Sequence, residues 1–151
     1  MKCINCGQSD LVRGAVPFTL TVGEVEFVTE LPGRRCSACG YSTVNGPAAV
    51  RFELLAADEL FRRGLRSGAS FRFMRKALGM KAAEIADAFN VAPETVSRWE
   101  NGQREVDWPE FMLLGFLVDD KLAGRTTTLA RLRALAEPEQ AGRITIPFKA
   151  A

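Results

Sequence analysis

The residues with the clearest capacity for chemistry are four cysteines, which form two Cys-x-x-Cys pairs. Each pair is followed directly by glycine, and the pairs join Cys3 with Cys6 and Cys36 with Cys39. Two residues between thiolates let both sulfurs face one point, and four thiolates match the tetrahedral set that Zn²⁺ prefers. Because the chain contains no histidine, a structural zinc site in it has to be all-cysteine. We therefore predict one structural Zn²⁺ held by all four cysteines.

Three other uses of the cysteines stay open, although the sequence favours each of them less. A redox-active pair normally lies in a thioredoxin-like βαβ pattern, which surrounds neither pair. Disulfides belong to oxidising compartments, whereas the N-terminal sequence lacks the apolar segment of an export signal. We therefore expect a cytoplasmic protein. A catalytic zinc needs an open coordination position, which four thiolates do not leave.

Composition narrows the possible function classes. The chain has 151 residues, of which 47% are hydrophobic and 25% charged, as in a folded protein of one ordinary domain or two small ones. Without histidine, Ser–His–Asp and Cys–His catalysis are excluded, and we expect no enzyme. The net charge of +2 does not by itself indicate a nucleic-acid partner. No apolar stretch approaches the roughly 18 residues of a membrane span, so we expect no membrane partner.

The segment between the two cysteine pairs has the pattern of a β-hairpin. Apolar residues alternate with smaller or polar ones from Val16 to Phe27, with a break at Gly23. A hairpin brings its ends together, as two cysteine pairs that share one metal require. We expect residues 31–33 to turn the chain into the second pair. Residues 1–45 are thus predicted to form a four-cysteine zinc-binding domain.

The remaining sequence has helical periodicity. Residues 46–68 predict a linking helix and a hinge, and we expect the apolar stripe of the helix to pack on a domain rather than bind a partner. Residues 69–137 predict five helices, the first capped by Ser70. Two of them flank a tight turn at Asn90, which is the helix-turn-helix layout.

The predicted fold class is therefore α+β, a small zinc-bound hairpin domain followed by a linking helix and an all-α five-helix domain. We expect both tryptophans, Trp99 and Trp108, to belong to the core. The C-terminal tail, residues 138–151, contains alternating apolar residues around Ile146. It is either a strand that pairs with the hairpin or a partner chain, or a loose end.

The order of these parts resembles a known family. Two Cys-x-x-Cys-Gly pairs followed by a helix-turn-helix resemble the MqsA (YgiT) type of zinc-finger/helix-turn-helix antitoxin. Residues 77–104 resemble the Xre, or Cro/repressor-like, class, with Thr-Val-Ser-Arg-Trp-Glu-Asn-Gly at 95–102 as the most specific run. The resemblance implies a homodimeric transcriptional repressor on a palindromic double-stranded DNA operator. It also implies a zinc domain that neutralises a small toxin, commonly a ribonuclease. The alternative is a stand-alone regulator with no toxin.

In this layout, the N-terminal residues of the recognition helix face base edges in the major groove. Arg98 can bond guanine O6 and N7. Glu94 stands where relatives of the MqsA type carry Asn; it can accept from cytosine N4, or act only as a favourable charge at a helix N-terminus. The full set of base-reading candidates is Glu94, Thr95, Ser97 and Arg98.

Basic and polar side chains around the motif are candidates for phosphate contacts. Each of them can equally be an ordinary solvated surface group. The set is Arg72, Arg75, Lys76, Lys81, Asn101 and Arg104.

The C-terminal helices carry more large apolar residues than one small core needs. This excess predicts a dimer surface, since helix-turn-helix repressors bind palindromes as dimers. Its candidates are Phe111, Leu114, Leu117, Leu129 and Leu132.

Overall fold

The computed structural model of the protein describes residues 1–8, 11–135 and 146. In these residues, a three-stranded antiparallel sheet is followed by six helices, so the predicted α+β fold class is confirmed. No described helix is long and apolar enough to cross a membrane. The strands are β1 (Leu11–Val22), β2 (Val25–Cys36) and β3 (Ser42–Val44). The helices are α1 (Gly46–Arg62), α2 (Gly68–Ala77), α3 (Ala82–Phe89), α4 (Pro93–Glu100), α5 (Trp108–Leu122) and α6 (Thr127–Leu135).

The predicted hairpin is present, but its second strand is longer than expected. Val22 pairs with Val25 at the turn, and Leu11 pairs with Cys36 at the open end. The expected turn at residues 31–33 is wrong, because β2 continues through them to Cys36. Pro32 is tolerated there because its carbonyl accepts from the Asn45 amide, beyond the end of β3. Its missing N–H therefore leaves no ladder partner unpaired.

Strand β3 was not predicted from the sequence. It pairs antiparallel with the end of β2, with Gly33 opposite Val44 and Arg35 opposite Ser42. A Cβ on Gly33 would overlap the carbonyl oxygen of Thr43. Only glycine allows this close approach of the two backbones.

The hairpin packs on the helices through one face and through its tip. Phe18 meets Phe52 of α1 edge to face, with ring centroids 5.8 Å apart. At the tip, Val22 belongs to the same buried cluster as the helical core, and Gly23 lies against Ala69 of α2. The tip is therefore part of the helical core, whereas the open end of the hairpin lies at the cysteines.

Aromatic and aliphatic residues from α1 to α5 form the main core. Phe71 of α2 meets Trp99 of α4 with centroids 5.3 Å apart, and both side chains are buried. The apolar stripe of α1 packs into this core, as expected for the linking helix, through Leu54 and Leu60. Among the expected core residues, Trp99 is confirmed.

Helix α2 begins earlier than expected. Its N-cap is Ser67, whose Oγ accepts from the Ser70 amide at 3.0 Å. The prediction that Ser70 is the cap is wrong, since Ser70 is buried inside the first turn. The expected strand in the tail at 138–151 lies outside the described residues, apart from Ile146, which is exposed.

Candidate metal centre and nucleic-acid interface

Two short turns position the four cysteines at the open end of the hairpin. In the first, the Gly7 amide donates to the Cys3 carbonyl at 2.8 Å; in the second, the Gly40 amide donates to the Cys36 carbonyl at 2.9 Å. Both glycines have φ of 74°, a left-handed conformation that other residues rarely adopt. The glycine after each pair is thus what lets the two turns close in the same way.

The cysteine sulfurs form one compact cluster. All four Sγ atoms lie within 4.8 Å of one another, with 3.7 Å between Cys3 and Cys39 and 3.7 Å between Cys6 and Cys36. A tetrahedral ion with metal–sulfur bonds of about 2.3 Å places its sulfurs about 3.8 Å apart. Disulfide bonding needs about 2.05 Å. The cluster is therefore shaped to bind one metal ion.

The two exposed thiols, Cys6 and Cys39, have very different pKa values. The backbone hydrogen bond from Tyr41, followed by the side-chain bond from Asn5, lowers the pKa of Cys39 to about 6. For Cys6, the backbone hydrogen bond from Gln8 lowers the pKa, but burial and the neighbouring thiols together raise it to about 12. Because a cysteine binds a metal as its thiolate, the lowered pKa favours metal binding at Cys39 and the raised pKa opposes it at Cys6.

The predicted helix-turn-helix arrangement is formed by α3 and α4. Asn90 ends α3 with φ of 52°, and the Val91 amide returns to the Ala86 carbonyl at 3.0 Å. Helix α4 then begins at Pro93 with no side-chain cap, because its N-cap residue, Ala92, has no side-chain acceptor. Helix α3, by contrast, has a side-chain contact at its first turn, where the Glu84 carboxylate accepts from the Lys81 amide at 2.7 Å.

The base-reading candidates lie on the outer face of α4. Glu94, Ser97 and Arg98 are exposed and Thr95 is half-buried, while the inner face packs through Trp99. Within the described part of the chain, neither the Arg98 guanidinium nor the Glu94 carboxylate has a hydrogen bond or ion pair. Both charged groups are therefore available to a ligand.

Arg75, one of the phosphate candidates, is not available. The residue is 8% exposed, and its guanidinium donates to both carboxylate oxygens of Glu100, at 2.5 and 3.0 Å, and to the Met80 carbonyl at 2.7 Å. The prediction of a phosphate contact at Arg75 is wrong, because these bonds use the side chain inside the protein. Instead, Arg75 fixes the end of α4 to α2.

The other phosphate candidates are exposed and differ in how strongly they are held. Lys76 and Lys81 have no ion pair among the described residues. Arg72 lies 3.8 Å from Glu100, and Arg104 lies 2.7 Å from Asp107. In both pairs the arginine side chain is exposed to solvent. Asn101 donates through Nδ2 to Ser97 Oγ at 3.3 Å.

Most of the predicted dimer surface is interior. Phe111, Leu114 and Leu117 are buried in the core of their own chain, so predicting them as dimer contacts was wrong. Leu129 and Leu132 are half-buried and pack against the same core.

A different apolar face of α5 is exposed. Trp108 is 49% exposed and Phe116 47% exposed, so the expectation of a core Trp108 is wrong. Trp108 stacks on Phe111 and lies under the Arg66 guanidinium, 5.4 Å from the ring centroid. Trp108, Met112 and Phe116 have i, i+4, i+8 spacing, but apolar residues also fill most other positions of the helix, so the sequence did not single out this face.

Fold and site together define a protein with a four-cysteine metal site on a hairpin, followed along the chain by a helix-turn-helix. The family model described as the antitoxin component of the bacterial toxin-antitoxin system, MqsA, matches residues 1–121. The chain therefore belongs to the MqsA antitoxin family, as the sequence resemblance predicted. No curated protein matches the chain significantly.

Proposed function

We propose that the chain is the antitoxin of a toxin–antitoxin pair and a homodimeric, zinc-containing transcriptional repressor of its own operon. Membership of the MqsA family supports the antitoxin part. The observation that carries the DNA-binding part is the outer face of α4, where Arg98 and Glu94 are exposed and unpaired among the described residues. The toxin is bound by the metal-bearing end of the hairpin.

The contacts that fix α4 in the fold support the proposal that this helix reads DNA. The buried Arg75–Glu100 pair joins its C-terminal end to α2, and Trp99 packs its inner face against Phe71. A recognition helix fixed in this way can place Arg98 against a guanine, a contact worth about 1–3 kcal/mol of base discrimination. The exposed groups that would contact phosphates are Arg72, Lys76, Lys81, Asn101 and Arg104.

Selection from genomic DNA of the source organism tests this part. Metal-loaded protein should enrich one palindromic sequence, and Arg98→Ala should abolish the enrichment. Arg51→Ala is the matched control, because Arg51 is an exposed arginine on α1, outside the motif, and has no ion pair with any described residue. Enrichment that is unchanged in Arg98→Ala, or no enrichment at all, would contradict DNA reading by α4.

We assign the metal as Zn²⁺ in a purely structural role. Four thiolates fill a tetrahedral ion and leave no open position for a substrate. Fe²⁺ also accepts four thiolates, so elemental analysis of purified protein is the deciding measurement. One zinc per chain is expected, and one iron per chain would contradict the assignment.

We place the homodimer contact on the exposed face of α5. If two α5 helices pack antiparallel across a twofold axis at Met112, then Trp108 of one chain meets Phe116 of the other. Phe116→Glu should therefore give a monomer in sedimentation equilibrium. The same substitution at Val50, which is 61% exposed on α1, should leave the dimer intact. A dimer that survives Phe116→Glu would exclude this face.

The toxin part separates our proposal from the stand-alone regulator. Expression of the gene next to this one should arrest growth, and coexpression of the chain should restore it. The product of that gene should also co-purify with the chain. An adjacent product that is harmless and does not bind the chain would favour the stand-alone regulator.

A further inference from the structure

The outer face of the hairpin near the metal end has two arginines in direct opposition. Arg13 of β1 is the cross-strand partner of Arg34 of β2, so their side chains lie on the same face. Like charges in this position destabilise a sheet. Within the described part of the chain neither arginine has a carboxylate partner; Arg34 contacts only the Met1 sulfur, at 2.6 Å, and Arg13 makes no bond.

These arginines stand over a groove of about 1000 Å³. On the face of the arginines, the next cross-strand pair is the small pair Ala15 and Pro32, and Gly14 and Gly33 contribute only backbone to the groove lining. Side chains this small allow another backbone to approach the sheet closely. The exposed apolar residues Met1 (86% exposed) and Ile4 (82% exposed) stand at the rim.

The negative charge of the metal site does not explain why Arg13 and Arg34 are placed opposite each other. A tetrathiolate zinc carries net −2, but the cation beside the second cysteine turn is Arg35. Its Nη2 lies 4.0 Å from the position that a Cβ on Gly40 would occupy. Neither Arg13 nor Arg34 donates to a cysteine sulfur. Glu30, the acidic residue of the groove lining, forms no ion pair with them. Among the described residues, neither guanidinium group therefore has an anionic partner, and both can bind an external anion.

We propose that this groove binds an extended, acidic segment of a partner protein. Arginine forks pair with carboxylates through two parallel hydrogen bonds, and the rim offers apolar contacts for residues between the acidic ones. Single-stranded nucleic acid fits less well, because its bases need aromatic platforms and Tyr41 is the one aromatic residue in the groove lining. The inference rests on the proposed toxin-binding role and adds that the docking segment is acidic.

A peptide selection tests the groove without knowledge of the partner. A library of random dodecapeptides would be selected against the metal-loaded full chain. We expect enrichment of peptides rich in Asp and Glu. Their affinity should fall at least about tenfold, or about 1.4 kcal/mol, in the double variant Arg13→Glu, Arg34→Glu. The double variant Arg51→Glu, Arg131→Glu, which reverses two exposed arginines elsewhere, should bind as the wild type does.

The neutral variant Arg13→Gln adds a second readout and serves if the charge-reversed chain does not fold. It should raise the melting temperature, because it removes the like-charge opposition, while it weakens binding of the same peptides. A chain that is less stable and still binds the peptides would mean that Arg13 is only a structural residue, and would overturn the proposal.

Four further outcomes would overturn it. Selected peptides could be neutral or basic, or they could bind the charge-reversed variant as well as the wild type. A single-stranded oligonucleotide could bind in their place and lose affinity in that variant, which would make the groove a nucleic-acid site. Finally, a toxin that the wild type and the charge-reversed variant neutralise equally would remove the groove assignment alone and leave the proposed function intact.

Discussion

The two ends of the hairpin are stabilised by different means. At the open end, the buried residues include Cys3 and Cys36, and the sulfur cluster joins the first turn to the second. At the tip, Val22 joins a cluster that contains Phe71 and Trp99. We therefore expect a metal ion to hold one end, whereas apolar packing holds the other. The change from one source of stability to the other therefore lies within the hairpin and not at the link to α1.

This division matters for function because the two ends have different proposed partners. The toxin would meet the metal end, and DNA would meet α4, which packs in the same core as the hairpin tip. Loss of the metal should then disturb the first surface and leave the second in place.

The largest effect is expected from Cys36→Ser, which removes one buried thiolate. Structural zinc sites supply apparent binding free energies of about 10–16 kcal/mol, and three thiolates would hold the ion far less tightly. The variant should purify without bound metal yet keep the far-UV circular dichroism of its helices. Ala38→Ser, an exposed position in the same turn, should bind metal normally. Metal retained by Cys36→Ser would contradict the four-thiolate site.

Phe71→Ala should produce the reverse pattern. The ring is fully buried against Trp99, and truncating a buried Phe costs about 3–5 kcal/mol. Urea denaturation followed by circular dichroism should show this loss of unfolding free energy, while the metal content stays at one ion per chain. A parallel loss of metal would show that the two ends are not separate.

Glu100→Gln should cost about 3 kcal/mol, because it leaves the Arg75 charge buried without a counter-charge. The exposed pair of Arg104 with Asp107 gives the comparison, and Asp107→Asn should cost less than about 1 kcal/mol. Both values come from the same denaturation experiment. Equal costs for the two variants would mean that the Arg75–Glu100 pair does not fix α4.

The smallest effect concerns acid sensitivity at the junction of α5 and α6. Hydrogen bonds from Thr128, and then from Arg125, hold the pKa of Asp120 below its ordinary value of 3.8. Because the folded pKa is the lower one, this stabilisation is full above pH 3.8 and is lost as the pH falls through the folded pKa. Asp120→Asn should therefore flatten the fall in melting temperature on acidification, whereas Asp87→Asn should not. Identical acid profiles for the wild type and Asp120→Asn would contradict this role.

Sequence patterns predicted the metal cluster, the hairpin and the two helices of the motif. In each case the signal is local: a Cys-x-x-Cys-Gly turn, an alternating strand, or Asn90 between two short helices. The prediction of a turn at residues 31–33 was wrong because the structure there depends on pairing with another strand, which the local sequence does not show. Pro32 and Gly33 are turn formers locally, but the three-residue strand β3 accommodates both, and nothing in its own sequence marks it as a strand.

The surface residues were harder to predict than the elements. Arg75 looked like any cation near a helix-turn-helix, and only the tertiary fold shows that Glu100 lies opposite it. Helix α5 is apolar on every side, so its sequence could not show which residues face inward. As a result, Phe111 was assigned to a dimer contact and Trp108 to the core, and the structure reverses both. The opposition of Arg13 and Arg34 likewise depends on the strand register.

The most direct test of the separation is amide hydrogen exchange on the full chain before and after removal of the metal with a chelator. In the metal-free chain, amides at the open end of the hairpin, such as Val12 and Arg35, should lose protection. Amides of Val22 and of the helices around Phe71 and Trp99 should keep theirs. Loss of protection throughout the chain, or at neither end, would contradict the account that a metal ion holds one end of this hairpin and apolar packing the other.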